Sequence, residues 1–271
     1  MTGPRTTKRP AQNEPPSPKR PALPIRLALV LPLALGACAD TGGPGASFAE
    51  RDPYESTNRA IHDVNVALDS GVLRPASQAY DFVMPTLLRH FIVNVINHLD
   101  TVNDFINYTL QGEIDPALTA LGRFSVNTVV GAGGLLDPAT EFGLPKENTD
   151  LGITLGKYGV DAGAYLVLPL FGPSTVRDAV GRLGDLALSP LTYINPLVDS
   201  TALTVFSPAL QATDVIEQRA ANFDLIDQLL YDSDDSYVSL RTVYLQRRDA
   251  LLRGEDDDGA LPNIFDDDIT E

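Results

Sequence analysis

The chain has 271 residues and a formal net charge of −16, long enough to bury a sizeable core but without the basic face that a phosphate backbone requires. That balance excludes nucleic acid as a partner and disfavours simple attraction to anionic headgroups. A single cysteine excludes an intrachain disulfide and a zinc cluster built on thiolates, while 21 Pro, 21 Gly and no Trp describe a backbone that turns often.

Residues 1–26 carry Arg5, Lys8, Arg9, Lys19, Arg20 and Arg26 against Glu14 alone, and the apolar run 27–37 follows. A basic opening, a short apolar run and small residues at the cut predict a secretory signal. As a helix the run would span about 16 Å, too short for a bilayer. Leu35-Gly36-Ala37-Cys38 looks like a bacterial lipobox. It predicts a diacylglyceryl thioether on Cys38, cleavage before it and acylation of the new N-terminus, and several acyl chains anchor firmly where one would not. Ala39 follows the cysteine instead of Asp, which by the sorting pattern of enteric lipoproteins favours the outer membrane. Removing residues 1–37 leaves 14 basic and 35 acidic residues, a charge of −21. The expected organisation is a lipoprotein signal over 1–37, a flexible Gly/Ala/Ser tether over 38–51, a helical body over 52–253 and an acidic, disordered tail over 254–271.

The body reads as helices. Ser56 is placed to cap one that runs to about Ser70 and stops at Gly71. Pro85 suits the first turn of a longer one. There Leu88, Phe91, Ile92, Val95, Ile96, Leu99, Val102, Phe105, Ile106 and Leu110 recur at three and four as far as Gln111-Gly112. Asp115-Pro116 reads as a cap and first position, followed by Leu118, Leu121, Phe124, Val126 and Val129 before Gly131. Between about 131 and 173 the pattern breaks into Gly/Pro-rich loops, with one short strand expected near 165–168. Ser174 is placed to cap a helix through Leu183, Ser207-Pro208 to open one that reaches about Tyr231, and Asp235 or Ser236 to open a last one ending at Gly254.

Recognisable catalytic chemistry is missing. Gly131-Ala-Gly133-Gly134 fails as a dinucleotide loop because Leu136 stands where the third Gly of GxGxxG belongs. There is no P-loop, no HExxH and no GxSxG elbow. His90 and His98 fall two turns apart on one helix, at surface or core positions, and do not have the spacing of a metal pair. No catalytic residue, metal site or cofactor is therefore expected.

The ordered segments DPYESTNRAIHDVN (52–65), LRPASQAY (73–80), NVINHLDTVNDFINYTLQG (94–112), RFSVNTVVGAGGLLDPA (123–139), DLGITLGKYGVDAGAYLVLPLFGPSTVRD (150–178) and YLQRR (244–248) resemble the MlaA/VacJ family of bacterial outer-membrane lipoproteins over about residues 52–250. The sequence departs from that pattern at His98, where Asn is usual, at Val102, where Pro is common, and at Ala164, which replaces a Pro before Tyr165. The resemblance implies an all-α fold, a ring-like arrangement of amphipathic helices with Gly/Pro-rich loops. It implies a place in the inner leaflet of the outer membrane on the periplasmic face, a central amphipathic channel, and a complex with a trimeric porin. The implied task is to remove mislocalised phospholipids from the outer leaflet and pass them to the soluble periplasmic carrier MlaC, without enzymatic activity.

Under that resemblance the 88–110 stripe is a candidate lipid-facing surface, where it would otherwise be the buried face of a core helix. Gly131, Gly133, Gly134, Asp137 and Pro138 form either a turn that joins helices or a mobile loop gating a channel mouth. Arg177-Asp178 reads as a local ion pair in preference to a phosphate ligand. A lipid-anchored scaffold without transfer activity is the alternative function.

Overall fold

The computed structural model describes residues 51–190 and 201–254, with backbone alone over 201–208. The signal, Cys38, the tether before Arg51 and the tail beyond Gly254 lie outside the described residues.

The body is helical, as expected, with one two-stranded sheet. Helix α1 (Glu55–Leu68) begins one residue before Ser56, with Tyr54 at the cap position and no side-chain cap. It does not stop at Gly71. The chain passes through a π-helical segment (Asp69–Leu73) straight into α2 (Arg74–Val83). The reason is lateral: buried Asp69 accepts Arg219 Nε at 2.9 Å and the Tyr231 hydroxyl at 2.7 Å, and Gly71 keeps a negative φ. Tertiary bonding thus carries the helix over a residue that would end it in isolation.

Helix α3 (Thr86–Gln111) has Pro85 at its cap position and ends at Gly112, φ +76°. Glu113 N–H bonds Tyr108 O at 3.0 Å and Gly112 N–H bonds Thr109 O at 3.2 Å, the paired closure of a Schellman end. That closure delivers the chain directly into α4 (Ile114–Val129). Glu113 is therefore the cap, and Asp115 and Pro116 fall inside the first turn, where a missing N–H costs nothing. The α3 and α4 helices pack against each other.

The stretch from 131 to 173 is more ordered than its Gly and Pro content suggests. It holds α5 (Pro138–Glu141), α6 (Leu151–Lys157) and β1 (Tyr165–Leu168), the last where a strand was expected. β1 pairs antiparallel with β2 (Gly172–Thr175), Tyr165 opposite Thr175. Thr175, not Ser174, caps α7 (Val176–Leu188), its hydroxyl accepting Asp178 N–H at 3.2 Å; Ser174 belongs to the strand. Gly181 of α7 meets the backbone of Gly152 on α6 so closely that a Cβ there would lie 2.4 Å from Gly152 N.

Helix α8 is described from Thr201 to Ala221, so Ser207 and Pro208 lie within it and do not open it. The run toward Tyr231 breaks at Asn222 into α9 (Phe223–Asp227) and a second π-helical segment (Gln228–Asp232). Asp235 caps α10 (Ser236–Leu252), its carboxylate accepting Tyr237 and Val238 N–H, each at 3.1 Å.

The apolar core is small. Tyr165 and Val167 of β1 meet Tyr237 and Leu245 of α10, with Ile61 of α1 against them. Two asparagines of α1 complete β1 on its other edge. Asn58 donates to Tyr165 O at 3.0 Å and accepts Val167 N–H at 2.9 Å; Asn65 donates to Leu168 O at 3.0 Å and accepts Leu170 N–H at 2.9 Å. Two turns apart on one face, they stand in for a third strand and satisfy an edge that would otherwise be open. Asn58 also donates to Asp52, which takes Arg241 at 2.7 Å and the Tyr237 hydroxyl. Arg51 joins the same arrangement, its carbonyl accepting Tyr165 N–H at 2.7 Å.

Asn58→Leu strips partners from two strand groups and from Asp52. At about 1–3 kcal/mol for each buried group left unpaired, it should cost about 3 kcal/mol or more, read by denaturant unfolding in detergent. Gly71→Ala should instead stabilise by about 0.5–1 kcal/mol, because a methyl there meets nothing within 4 Å.

Candidate functional site

The buried set of this protein is mostly polar. Among the described residues 12 hydrophobic residues are buried against 19 polar or charged ones, and 24 large hydrophobic residues are exposed. Buried sites of a water-soluble domain are mostly apolar, so this many exposed large apolar side chains suit contact with a hydrocarbon environment.

Helix α3 shows how this arises. Of its apolar stripe none is buried: Leu88 and Leu110 are exposed and the others half-buried. Its buried residues are His98, Thr101, Asp104, Asn107 and Tyr108. Asn94, Asn97, Thr101, Asp104, Asn107 and Gln111 recur at three and four, out of phase with the apolar stripe, and they hold the loops and helices inside. Asn94 donates to Leu135 O at 3.1 Å, and Lys146 donates to Asn97 at 2.6 Å. Asp104 accepts Thr149 N–H at 3.1 Å. Asn107 accepts the Thr154 hydroxyl at 2.9 Å and donates to Asp185 at 3.0 Å, and Gln111 donates to Thr149 and Thr154, each at 2.8 Å. Helix α4 repeats the pattern, burying Ala117, Ala120, Arg123 and Asn127 while Ile114, Leu118, Leu121 and Val129 are exposed.

Between α3, α4 and the segment 145–147 lies a cavity of about 10 Å³, lined by Thr101, Asp104, Tyr108, Arg123 and Lys146 among others. That is room for one water. Burial pushes the Asp104 carboxyl up to about 7, against the opposing pull of Thr149 N–H and Lys146.

The five turn residues expected at a channel mouth come together after α4. Gly131 is buried, and a Cβ on it would lie 2.4 Å from Leu136 O. Gly133 and Gly134 have φ of +75° and +90°, with Ala132 at +55° beside them. Gly133 N–H bonds Thr128 O at 3.0 Å and Gly134 N–H bonds Asn127 O at 2.9 Å, so the turn folds back on the end of α4. Asp137 caps its far side: it accepts Arg123 at 2.8 Å, Asn127 at 2.7 Å and the Thr140 hydroxyl at 2.7 Å. Burial alone would raise its carboxyl, but the bonds from Thr140, Asn127 and Arg123 prevail and hold it below the ordinary carboxylate value. Pro138 opens α5 immediately after.

Arg177 and Asp178 are both buried and 3.3 Å apart, the local ion pair expected, and Asp178 also takes Arg248 and the Tyr244 hydroxyl, each at 2.7 Å. Of the two histidines on α3, His98 is buried and His90 exposed. His62 Nε2 lies 2.8 Å from Ser236 Oγ and ties α1 to α10. Among the described residues no three His, Cys, Asp or Glu side chains are grouped to hold a metal, and no helix is long and apolar enough to cross a membrane. The buried arginines and the polar stripe of α3 escaped the sequence reading, although the stripe's own three-and-four spacing was there to find.

The family model for the MlaA lipoprotein matches residues 50–251. The intermembrane phospholipid transport system lipoprotein MlaA of Shigella flexneri is 32% identical over 231 residues, 82% of this chain and 88% of that protein. An uncharacterized protein of Rickettsia felis is 33% identical over 203 residues, 74% of this chain and 78% of that one. A solved structure described as "Structural basis for maintenance of bacterial outer membrane lipid asymmetry" superposes with a TM-score of 0.65 at 32% identity, covering 74% of this chain and 98% of that one.

A carboxyl raised in the folded state makes folding take up a proton, so Asp104 weakens the fold as pH rises from about 4 to about 7. Asp104→Asn keeps the acceptor for Thr149 and removes that ionisation. Its melting temperature should rise relative to the parent chain between about pH 5 and about pH 8, measured on the two proteins in the same detergent.

Proposed function

The chain belongs to the MlaA lipoprotein family, and on that premise we propose that it is an outer-membrane lipoprotein of phospholipid transport, which removes mislocalised phospholipids from the outer leaflet and so maintains lipid asymmetry. One observation carries this: the buried side chains are mostly polar, while 24 large apolar ones are exposed among the described residues. Such a body lies stably in hydrocarbon, while a headgroup crossing it needs a polar interior, because a charged group in lipid tails is costly.

The finer arrangement is part of the same proposal. Acyl chains on Cys38 hold the chain on the periplasmic side, and the apolar faces of α3, α4 and α7 sit among the acyl tails of the inner leaflet. Leu118, Leu121, Val180, Leu183 and Leu186 support that placement, being exposed on the described surface. The helices close into a ring around an amphipathic channel, beside a trimeric porin, and the lipid leaves to the periplasmic carrier MlaC. No energy source lies in this chain's motifs, so net direction comes from lipid gradients or partners. The chain acts by binding and passage, without catalysis.

Cells lacking the protein should accumulate phospholipid in the outer leaflet, and a parental copy should reverse this. A Cys38→Ala copy should remain membrane-bound through carbonate extraction. No change in outer-leaflet phospholipid on deletion, together with a body released by carbonate, would leave a lipid-anchored scaffold instead. Leu118→Asp/Leu121→Asp should move the Cys38→Ala protein toward the soluble fraction, since each charge set in lipid costs about 2–4 kcal/mol.

A further inference from the structure

His98 is buried on the inward face of α3. Its ring stacks on Phe124 of α4, with centroids 4.6 Å apart and planes 2° from parallel. The backbone of Gly134 presses on the ring, such that a Cβ on Gly134 would lie 2.5 Å from His98 Cγ. The imidazole therefore joins α3, α4 and the 131–136 turn in one packed layer. Only 8% of the residue is exposed.

The protonation state follows from the hydrogen bonds. His98 Nε2 lies 3.3 Å from Thr128 Oγ1, and the Thr128 hydroxyl already donates to Phe124 O at 2.6 Å. The imidazole must then donate from Nε2, which leaves Nδ1 as a bare lone pair. Nδ1 is buried and has no hydrogen-bond partner. A proton added there creates a buried N–H and a charge with no acceptor at hand. The phenyl face of Phe124 attracts a cation weakly, less than burial opposes it.

No neighbouring charge is available to compensate. On α4, Arg123 is bonded to Asp137 of the turn. On the segment before α6, Lys146 is bonded to Asn97. On α3 itself, Asp104 accepts Thr149 N–H and Asp100 is exposed. Burial is what lowers the His98 pKa below its ordinary value.

We propose that His98 is a proton-sensitive latch, which holds the Gly131–Asp137 turn against α3 and α4 and frees it on acidification. Neutral, the ring fills the layer. Protonated, it leaves the layer for water, and the glycines that need its flat face lose their support. The sign is fixed by the lowered pKa: the latch is fully closed above the ordinary histidine pKa and weakens as pH falls below it. The consequence for lipid passage rests on the transport function proposed above; the latch itself does not.

Amide hydrogen exchange of the full chain in detergent tests this, as protection factors corrected for intrinsic exchange at about pH 7.5 and about pH 5. The reporters are Gly133, Gly134 and Leu136, whose N–H groups bond Thr128, Asn127 and Gly131. Their protection should fall severalfold at the lower pH while amides of α10 keep theirs. His98→Phe keeps a stacked ring that cannot titrate and should abolish the fall; His98→Asn, with a smaller neutral side chain, should do the same. An equal fall in either variant, or none in the parent chain, would overturn the latch. A turn that opens in acid with no change in lipid movement would uphold the latch and count against a channel-mouth role for this turn.

Discussion

A polar group inside this protein has to find its partner inside, and most of the architecture answers to that requirement. Where apolar side chains face out, the interior cannot be held by hydrophobic burial in the ordinary way, and the compensating contacts are hydrogen bonds and ion pairs. Buried and half-buried arginines carry much of this. Arg219 joins Asp69 to Asp227, Arg241 reaches Asp52, Arg123 reaches Asp137, and Arg248 joins Asp150 to Asp178. Such pairs add little net stability over apolar substitutes, yet removing one partner strands a charge and is severe. They therefore specify the arrangement of the helices more than they strengthen it.

The same requirement explains the irregular elements. Each π-helical segment touches the Arg219 network: Asp69 opens the first, and Asp227 stands immediately before the second. The α-helical ladder yields a turn at these places so that a carboxylate can reach the guanidinium. β1 survives with a single partner strand because Asn58 and Asn65 serve its free edge. The Gly131–Gly134 turn is likewise no slack connection. Three of its contacts are close approaches, to Leu136 O, to Asn127 O and to His98, and Asp137 staples its end to α4. A negatively charged chain turns out to use several of its carboxylates internally, as acceptors for its arginines.

Local chemistry made some of this legible. The cap at Asp235, the strand at 165–168 and the length of α3 all depend on neighbours in the chain, and motif order identified the family. Other signals misled for an equally definite reason. Gly71, Asp115-Pro116 and Ser207-Pro208 have the chemistry of helix ends, and each lies inside or beside a helix whose limits are set elsewhere: by Arg219 reaching Asp69, by the closure at Gly112, and by a start at or before Thr201. Local propensity amounts to about 1 kcal/mol, and a buried charge pair overrides it.

The 94–111 segment marks the boundary between the two kinds of knowledge. Its sequence determined an amphipathic helix with an apolar stripe and a polar stripe, because a period of 3.6 residues separates them on any α-helix. Which stripe faces inward is not a property of that period. It was decided when Thr149, Thr154, Lys146 and Asp185, 35 or more residues away in the chain, arrived to satisfy Asp104, Asn107, Gln111 and Asn97. Hydrogen bonds between such distant groups exist only once the chain has folded, so only the tertiary structure could put the polar face inside.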